Sequence, residues 1–437
     1  MPSSLELEPG KTLLLDGPAS ATLSSGLVSV FGAEVGPRRR LVVRKGRRLP
    51  LEALEPSQVD ITVGLGGSFS VVEGSPIPRS WHDVVEEALA IEGSARLLVL
   101  GAVDVGKTSL CTFLANRALK AGRSVGIVDA DVGQSDIGPP CTMGFAKVEE
   151  PTWDLSTLRA EHIFFFGDKT PSHLVGRALK GMKIMLEAAE RSGVDFLIVN
   201  TDGWISGPEA AEYKKALASI VDPHLVLALR RARELDLVLR QLEEWEIRPL
   251  DISPFVKERD RETRRELRTL GYRRYLDGAK VISVNLKWVE VEGEFPGSGL
   301  RPSRERCSII SSVLGFEPLY CEEGPKKIFV ILREEDEEPD PEAISRLENV
   351  LGKKVEVLRK GFEKGTLVAL YDKEGAFLGI GIIMCVDYRK RTARIFTLAD
   401  EEAVARMCIG RVKLNPDGTE MDEAPDHLNP PLPQTPR

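Results

Sequence analysis

The sequence predicts an α/β protein in which a central parallel sheet is flanked by an N-terminal β domain and a C-terminal β-rich domain. Three observations support this fold class. Between residues 79 and 276, short apolar runs alternate with helical patterns, as in a parallel sheet covered by helices. Before and after this stretch, brief strand patterns are separated by turn residues. A glycine-rich segment at residues 101–108 joins a predicted strand to a predicted helix.

The N-terminal β domain is predicted to cover residues 1–78. Glycines separate its apolar runs at intervals of about 4–10 residues, which is typical of a small antiparallel β domain. The clearest runs are Leu13–Leu15, Leu27–Phe31 and Leu41–Val43. A stretch rich in glycine, serine and proline, Gly74–Pro78, follows them and is predicted to be a linker.

The central domain is predicted to cover residues 79–276. Helices are expected at Trp81–Ile91, Ser109–Ala121, 175–191, 208–219 and 233–246. Strands are expected at Arg96–Leu100, Ser124–Asp129, Asp195–Asn200 and His224–Leu229. These strands are largely apolar along their whole length, as strands buried on both faces of a parallel sheet are.

The C-terminal β-rich domain is predicted to cover residues 277–414. Its strands are expected at Val281–Val291, Lys327–Leu332, Val355–Leu358, Leu367–Tyr371 and Gly379–Tyr388, with one helix at 341–351. The tail, residues 415–437, is rich in proline and is predicted to be disordered.

Composition and charge limit the classes of function. The chain has 437 residues and a net charge of −8, so any polyanionic partner needs a local basic patch. The N-terminal residues lack the features of a signal peptide, and no apolar run approaches the roughly 18 residues needed to cross a membrane. Six cysteines without a C-x-x-C pair indicate reduced thiols and a cytoplasmic protein. Depleted Gln and Asn beside abundant charge predict a thermophilic source.

The glycine-rich segment carries the first chemical signature. Gly101–Thr108 matches the P-loop pattern G-x-x-x-x-G-K-[ST] in the strand–loop–helix context that the pattern requires. The curled backbone points its N–H groups at phosphate oxygens, and the following helix adds its positive dipole end. Lys107 is expected to bridge the β- and γ-phosphates, and Thr108 to bind Mg²⁺ through its hydroxyl. The nucleotide is expected to contact Gly101, Ala102, Val103, Asp104, Val105, Gly106, Lys107, Thr108 and Ser109.

Two acidic residues follow the next predicted strand, at Asp129 and Asp131. Carboxylates at the C-terminal edge of a parallel strand face the ligand crevice. Both are therefore candidates to hold the metal ion, and one of them is expected to accept a proton from an attacking hydroxyl. The alternative is a capped turn in which Asp131 satisfies loose backbone N–H groups.

The nucleotide is predicted to be ATP rather than GTP. Guanine-specific P-loop proteins usually carry an Asn-Lys-x-Asp segment after a late strand. Here the late strand His224–Leu229 continues into Arg230–Arg233, and the segment appears nowhere in the sequence. This favours ATP or a permissive base site.

Four stretches together resemble the polyribonucleotide 5′-hydroxyl kinases, the family of the pre-mRNA cleavage complex kinase subunit, the nucleolar pre-rRNA kinase and archaeal RNA kinases. They are the P-loop Gly101–Thr108, the D-x-D-x-G-Q segment Asp129–Gln134, the clasp Thr201–Trp204 and the arginine-rich lid Arg259–Arg265. The resemblance covers most of the chain. A further stretch, Phe166–Ser172, echoes an F-G-x-x-S-P pattern only loosely and is assigned no role.

The resemblance implies ATP-dependent transfer of the γ-phosphate to the 5′-hydroxyl end of RNA, with DNA as an open alternative. Asp131 would accept the proton of the attacking hydroxyl. Arg259 and Arg264, with Lys107, would hold charge on the transferring phosphoryl group. Trp204 would stack a terminal base. The substrate-binding residues that the resemblance implies are Gln134, Thr201, Gly203 and Trp204.

Alternatives remain for individual residues and for the whole chain. Trp204 is also explained by core packing, and the lid by a solvated helix with ion pairs between neighbouring turns. Arg261 and Arg265 are the functional pair if the register of the lid is shifted. For the chain, the alternatives are a P-loop kinase of small molecules, a metal-inserting GTPase, or a scaffold of an RNA-processing complex that binds ATP for stability.

Overall fold

The computed structural model describes residues 2–324 and 326–421. The chain divides into two compact units, residues 1–268 and 269–437. The N-terminal strands belong to the same unit as the central sheet, so the domain boundaries at residues 78 and 276 stay predictions. Within the described residues, no helix is both long and apolar enough to span a membrane.

Two antiparallel sheets form the N-terminal part of the first unit, which confirms the predicted β region. Their strands are β1 (Pro2–Leu7), β2 (Lys11–Asp16), β3 (Ala19–Ser25), β4 (Val28–Val30), β5 (Ala33–Val35), β6 (Arg40–Val43), β7 (Arg48–Ala53), β8 (Ser57–Val63) and β9 (Ser68–Glu73). The strand orders are β1-β8-β3-β6 and β5-β4-β7-β2-β9. Apolar side chains of the two sheets, among them Leu13, Leu41 and Val59, pack into one core.

The rest of the first unit is the P-loop region. Its helices are α1 (Arg79–Leu89), α2 (Lys107–Lys120), α3 (Val175–Arg191), α4 (Pro208–Val221), α5 (Asp236–Arg240) and α6 (Arg261–Arg274), the last of which runs on into the second unit. Its strands are β10 (Ala95–Gly101), β11 (Val125–Ala130), β12 (Thr142–Val148), β13 (His162–Phe165), β14 (Phe196–Thr201), β15 (Leu225–Leu229) and β16 (Ile247–Leu250). They form one sheet in the order β13-β12-β11-β14-β10-β15-β16.

Most of this sheet is parallel, as predicted. Strands β11, β14, β10, β15 and β16 run parallel to one another. At one edge β12 and β13 run antiparallel, and neither strand is predicted from the sequence. Gly144 and Lys147 interrupt the apolar pattern of β12, which removes the signal of a buried strand.

The predicted helix 233–246 is wrong in its extent, because only Asp236–Arg240 is α-helical. The backbone N–H groups of Gln241, Leu242 and Trp245 each donate to the carbonyl three residues earlier. Such bonds make tight turns rather than an α-helix. The chain then enters the edge strand β16, which is also not predicted.

The second unit contains two further sheets, which confirms the predicted β-rich character. Its elements are β17 (Lys280–Asn285), β18 (Glu290–Glu292), α7 (Arg304–Leu314), β19 (Tyr320–Glu323), β20 (Lys327–Leu332), α8 (Pro341–Leu351), β21 (Lys354–Arg359), β22 (Thr366–Tyr371), β23 (Phe377–Asp387), β24 (Thr392–Thr397) and β25 (Arg406–Lys413). The sheet orders are β17-β24-β23-β22-β25-β18 and β19-β20-β21.

Two predictions for the second unit need correction, while the helix at 341–351 is confirmed. The predicted strand Val281–Val291 is interrupted by a turn, in which the Asn285 side chain accepts from the Lys287 N–H at 3.0 Å. Helix α7 is not predicted. Residues 415–421 form a turn that bonds back to Lys413 through the Met421 N–H at 2.8 Å. The remainder of the predicted disordered tail lies outside the described residues.

Three strand ends bring the sequence motifs to one place. In the sheet, β14 lies between β10 and β11 and runs parallel to both. Asn200 on β14 is level with Asp129 on β11 and with Val99 on β10. Because the carboxyl ends of parallel strands share one edge, the P-loop, the D-x-D-x-G-Q segment and the clasp all begin at that edge.

Candidate active site

The P-loop follows β10 and leads directly into α2. Asp104 has φ 57° and Gly106 has φ 95°, so the loop contains two left-handed residues. At Gly101 the limit is space, because a Cβ there would lie 2.7 Å from Val105 Cγ2 and 3.0 Å from Leu229 O. The loop therefore needs its glycines, one for backbone freedom and one for close packing.

Lys107 begins α2 and its side chain lies inside the curl of the loop. The residue is 6% exposed. Its Nζ donates hydrogen bonds to Gly101 O at 3.1 Å and to Ala102 O at 2.8 Å. The structure thus places a buried ammonium group among the backbone atoms that would surround a phosphate chain. Thr108 and Ser109 line the same cleft.

Asp129 is enclosed by hydrogen-bond donors. Its carboxylate accepts from the backbone N–H groups of Asp131, Asp136 and Ile137, the Ser135 hydroxyl and the Asn200 amide, at 2.6 to 3.3 Å. Burial raises the pKa of Asp129 to about 7, and the carboxylates of Asp136 and Asp131 add to the increase. The five donors oppose this rise, because they favour the ionised form. Asp129 is therefore positioned to hold the following turn in shape.

Asp131 has a more open setting. The residue is half-buried, and its carboxylate accepts from the Gln134 N–H at 3.2 Å. Burial raises its pKa, while the nearby Lys107 ammonium opposes the increase. Asp131 lines the cleft together with Lys107 and Thr108. Of the two predicted carboxylates, it is the one that lines the cleft.

One buried polar atom beside this pair lacks a partner. Asn200 is 2% exposed, and its amide Nδ2 donates to Asp129 Oδ1 at 3.0 Å. Within the described part of the chain, its Oδ1 is buried without a hydrogen-bond partner. Such an atom in a polar site usually marks the position of an ordered water molecule or a bound ligand group.

The clasp is held by a buried network that is not predicted from the sequence. The Asp202 carboxylate accepts from the Trp204 N–H at 2.9 Å and from the Tyr213 hydroxyl at 3.1 Å. The Lys214 ammonium, which is 0% exposed, lies 2.9 Å from the same carboxylate. Trp204 is half-buried and stacks on Tyr213, with ring centroids 5.6 Å apart and an interplanar angle of 26°. One face of the Trp204 ring is thus fixed by Tyr213.

The other two predicted clasp residues, Thr201 and Gly203, pack the clasp against neighbouring backbone. Thr201 is fully buried, and its hydroxyl donates to Val99 O at 2.8 Å, which joins β14 to β10. A Cβ at Gly203 would lie 2.5 Å from Val103 Cγ2 and 2.8 Å from the Val103 backbone N. Gly203 therefore lets the clasp rest directly on the P-loop.

The two predicted lid arginines both reach the P-loop. Arg259 precedes α6, and Arg264 lies in its first turn. Their Nη1 atoms lie 3.3 Å and 3.1 Å from the two carboxylate oxygens of Asp104. Arg259 Nη1 also donates to Gln134 Oε1 at 3.4 Å, which joins the lid to the D-x-D-x-G-Q segment. The alternative pair, Arg261 and Arg265, is exposed on α6.

A cleft opens in front of the P-loop, within the first unit. Its walls come from the N-terminal sheets, the P-loop and the lid, and they include Phe31, Trp81, Val103, Trp153 and Val256. At one side the Arg47 guanidinium forms an ion pair with Asp136 of the turn that Asp129 organises. The cleft combines aromatic and apolar walls with a cationic end, as suits a base and a phosphate chain.

Sequence reasoning missed four residues that shape this site: Arg47, Asp202, Tyr213 and Lys214. Lys214 had a detectable signal, since it lies on the buried face of α4 with Ala211 and Leu217, where a charged residue is unusual. No local signal identifies Arg47, because its partner Asp136 is 89 residues away.

The fold and the site define a P-loop nucleotide-binding protein of the phosphotransferase type. Residues 101–278 match the family described as mRNA cleavage and polyadenylation factor CLP1 P-loop. The chain is 30% identical over 348 residues to a polyribonucleotide 5′-hydroxyl-kinase of Pyrococcus abyssi (79% of this chain, 95% of the relative). It is 31% identical over 350 residues to one of Pyrococcus furiosus, with the same two shares. The chain belongs to the polyribonucleotide 5′-hydroxyl kinase family.

More distant relatives agree with this membership. The polyribonucleotide 5′-hydroxyl-kinase Clp1 of Xenopus laevis is 30% identical over 300 residues, which cover 63% of this chain and 67% of the relative. The wild-type Clp1p structure, solved in complex with Pcf11p, superposes with a TM-score of 0.65 at 14% identity. That likeness covers 94% of this chain and 98% of the other, and it confirms the fold. The archaeal genera Pyrococcus and Thermococcus among the relatives fit the predicted thermophilic source.

Proposed function

We propose that this chain transfers the γ-phosphate of ATP to the 5′-hydroxyl end of RNA. One observation carries the proposal beyond family membership. Lys107 of the P-loop, Asp131 of the D-x-D-x-G-Q segment, and the two lid arginines Arg259 and Arg264 come from three separate segments and converge at one edge of the sheet. A P-loop cation, a carboxylate and two arginines around one point are the groups that phosphoryl transfer requires.

The cleft supports ATP as the donor. The triphosphate binds over the P-loop, where Lys107 and the backbone N–H groups hold it. The base then lies among the aromatic and apolar residues of the cleft, which include Phe31 and Trp153. The absence of an Asn-Lys-x-Asp segment from the sequence favours adenine over guanine.

Thr108 and Asp131 fit a magnesium ion, since Mg²⁺ takes oxygen ligands and is commonly held by one or two carboxylates together with substrate phosphates. The Thr108 hydroxyl and the Asp131 carboxylate line the same cleft. The unpartnered Asn200 Oδ1 offers an acceptor to a water molecule beside them. When bound, Mg²⁺ neutralises charge on the β- and γ-phosphate oxygens. Asp129 is better suited to ordering the turn, because its carboxylate already has five donors.

The acceptor end is bound by the clasp. The free face of Trp204 stacks the terminal base, while Tyr213 supports the opposite face. Asp131 accepts the proton of the 5′-hydroxyl as its oxygen attacks the γ-phosphorus. Lys107, Arg259 and Arg264 hold the charge that develops on the phosphoryl oxygens. The products are ADP and a 5′-phosphorylated strand.

One assay tests this proposal against its alternatives. The protein is incubated with labelled ATP or GTP and with 5′-hydroxyl oligonucleotides of RNA, of DNA, or with nucleosides. We expect label on the 5′ end of RNA with ATP as donor. Label on nucleosides alone would indicate a small-molecule kinase, and ATP binding without transfer would indicate a scaffold. In the described part of the chain the six cysteines are thiols rather than disulfides, which agrees with the cytoplasmic location that we include in this proposal.

A further inference from the structure

Asp104 places a negative charge inside the loop that must hold a triphosphate. Its side chain is 7% exposed, and its backbone is left-handed at φ 57°. A carboxylate near a phosphate chain raises the energy of the bound nucleotide, because like charges repel strongly where water is excluded. The left-handed backbone does not explain the charge, because Asn and Gly adopt that conformation at least as readily.

The carboxylate of Asp104 holds both lid arginines at once. Oδ1 accepts from Arg259 Nη1 at 3.3 Å, and Oδ2 accepts from Arg264 Nη1 at 3.1 Å. The backbone N–H of Arg259 donates to Oδ2 at 3.3 Å. Arg264 Nη1 also donates to the Arg259 carbonyl at 2.8 Å, which ties the two arginines to each other.

The backbone of the lid explains how both side chains reach one carboxylate. On a continuous helix, residues five positions apart point about 140° away from each other. Helix α6 begins at Arg261, so Arg259 lies on the non-helical segment before it. Arg259 is further fixed by Gly46 O, to which its Nε donates at 3.2 Å. The break between the two arginines is therefore what lets them converge on Asp104.

The ion pairs with Asp104 leave N–H donors of Arg259 and Arg264 available for a phosphoryl group. Two guanidinium groups share one carboxylate, so the cluster keeps a positive charge. Each arginine has five N–H donors, of which the contacts to Asp104 use few. Burial and the neighbouring Arg47 lower the pKa of Arg259, and Asp104 opposes this effect. Without Asp104, two partly buried cations would repel each other beside the P-loop.

On the basis of the proposed kinase function, we propose that Asp104 is a positioning residue. It holds Arg259 and Arg264 over the P-loop for phosphoryl transfer. Asp104 acts through the arginines and does not itself contact the reacting atoms. Preorganised charge of this kind lowers the barrier because the donors need not move as the reaction occurs.

The variant Asp104→Asn separates this role from simple repulsion of ATP. Asparagine keeps the size and tolerates a left-handed backbone, and it removes only the charge. If the carboxylate positions the arginines, kcat falls at least about tenfold while ATP binds as tightly as before or more tightly. If Asp104 only repels the triphosphate, ATP affinity rises and kcat is unchanged, which overturns the proposal. The matched control is Asp222→Asn, an exposed aspartate at φ 48° that ends α4.

A double-mutant cycle with Arg264→Ala adds a second test. Because Asp104 acts through Arg264, the double variant should be hardly slower than the slower single variant. Multiplicative losses in kcat would show that the two residues act independently and would overturn the proposal. Calorimetric melting of all variants verifies that each is folded.

Limited trypsin digestion tests the contact independently of activity. Arg261 and Arg265 are exposed, but trypsin cleaves a helix only after it unfolds locally. Releasing the lid from Asp104 should make that unfolding easier, so Asp104→Asn should be cleaved there several times faster than the wild type or Asp222→Asn. Equal cleavage rates would overturn the proposal. If the wild type transfers no phosphate to RNA but the cleavage rates differ, the proposed function fails while the Asp104 contact stands.

Discussion

Asp129 and Asp131 lie two positions apart, yet their carboxylates have different surroundings. Asp129 accepts five hydrogen bonds and is 1% exposed. Asp131 is half-buried, and its carboxylate accepts from the Gln134 N–H at 3.2 Å. A carboxylate whose lone pairs are already taken by donors has none left for a metal ion or an attacking hydroxyl, whereas a less saturated one keeps lone pairs for either task. Substitutions at the two positions should therefore have different effects on the protein.

We expect Asp131→Asn to retain ATP binding and to lose turnover by about 10²–10⁴-fold, because an amide does not accept the proton. Asp129→Asn should instead lower the melting temperature, because its amide group would oppose N–H donors in a buried site. Single-turnover transfer and calorimetry distinguish the two. Turnover of Asp131→Asn close to that of the wild type would refute its role as base.

The same residue predicts a pH dependence. Burial raises the pKa of Asp131 above the ordinary aspartate value of about 3.9. A general base works only when ionised, so kcat/KM should increase with pH through this raised pKa. This loss of kcat/KM at low pH should be absent from Asp131→Asn. If that variant still shows it, another group is responsible for the pH dependence.

Trp204 and Tyr213 give a paired test of the clasp. Trp204→Ala should weaken oligonucleotide binding by about 1–3 kcal/mol, because it removes the stacking surface, and should leave ATP affinity unchanged. Tyr213→Leu should weaken binding less, since Trp204 loses only its support, and Tyr213→Phe keeps the stacked ring and is the control. Fluorescence titration with RNA measures all three. A lower melting temperature for Trp204→Ala with unchanged RNA affinity would make Trp204 a core residue.

Single residues also show what the sequence can predict. Lys107, Thr108 and Asp131 were predicted because each belongs to a local pattern with a mechanism. The contact between Asp104 and Arg264 was not predicted, because it joins residues 160 positions apart. Such contacts depend on the tertiary fold, and the sequence around either residue carries no local signal of the other.

At the scale of elements, the lid depends on where α6 begins. The sequence places both arginines in one charged segment, and a continuous helix would separate their side chains. The structure starts α6 at Arg261, after Asp260, whose carboxylate accepts from the Thr263 N–H at 2.7 Å. This helix-capping contact favours a helix start at that point and leaves Arg259 outside the helix.

We expect Arg264→Ala to lower kcat at least about tenfold while the melting temperature hardly changes. The side chain is 30% exposed and adds little to folding, whereas its charge acts on the transition state. Arg264→Lys should not restore full activity, because a point charge lacks the planar fork of arginine. Steady-state kinetics and calorimetry provide the measurements, and the exposed Arg261→Ala is the control. Unchanged kcat in both Arg264 variants would remove the lid from the mechanism.

The helices and strands that the sequence predicts well are those determined by local sequence, and those it misses depend on contacts with distant residues. The P-loop, helix α8 and the parallel strands have strong periodic patterns, and their predictions are close to the structure. The antiparallel strands β12 and β13 have weak patterns, and they form because β11 offers them an edge. Pairing with an existing edge is a tertiary effect that local propensity does not contain.

At the scale of the whole molecule, ion pairs join the N-terminal sheets to the P-loop region. Arg44 donates two bonds to Asp154, both at 2.9 Å, and Arg47 pairs with Asp136. All four of these residues line the cleft in front of the P-loop. The N-terminal sheets thus help to form the site, which gives a physical reason for their sharing a unit with the P-loop sheet.

The ion pairing of Asp154 makes the free energy of unfolding depend on pH. Burial alone would raise the pKa of Asp154, but the Arg44 and Arg47 guanidinium groups outweigh it and lower the pKa. A carboxyl whose pKa is lower in the folded state stabilises the protein at pH values above its unfolded pKa of about 3.9. That stability is lost as the pH falls through the lower, folded value. The wild type should therefore lose stability more steeply in acid than a variant without this charge.

The variant Asp154→Asn isolates the charge, because asparagine caps the turn before Ser156 as well as aspartate does. We expect it to be less stable than the wild type at pH 7 and to approach the wild type as the pH falls below about 4 and through the lowered pKa of folded Asp154, where that carboxyl becomes neutral too. Urea unfolding at a series of pH values measures the difference. The control is Asp83→Asn, since Asp83 forms an exposed pair with Arg79 at 3.9 Å and such pairs contribute little. A stability difference between Asp154→Asn and the wild type that does not change with pH would show that the side chain acts through packing and that charge does not join these sheets.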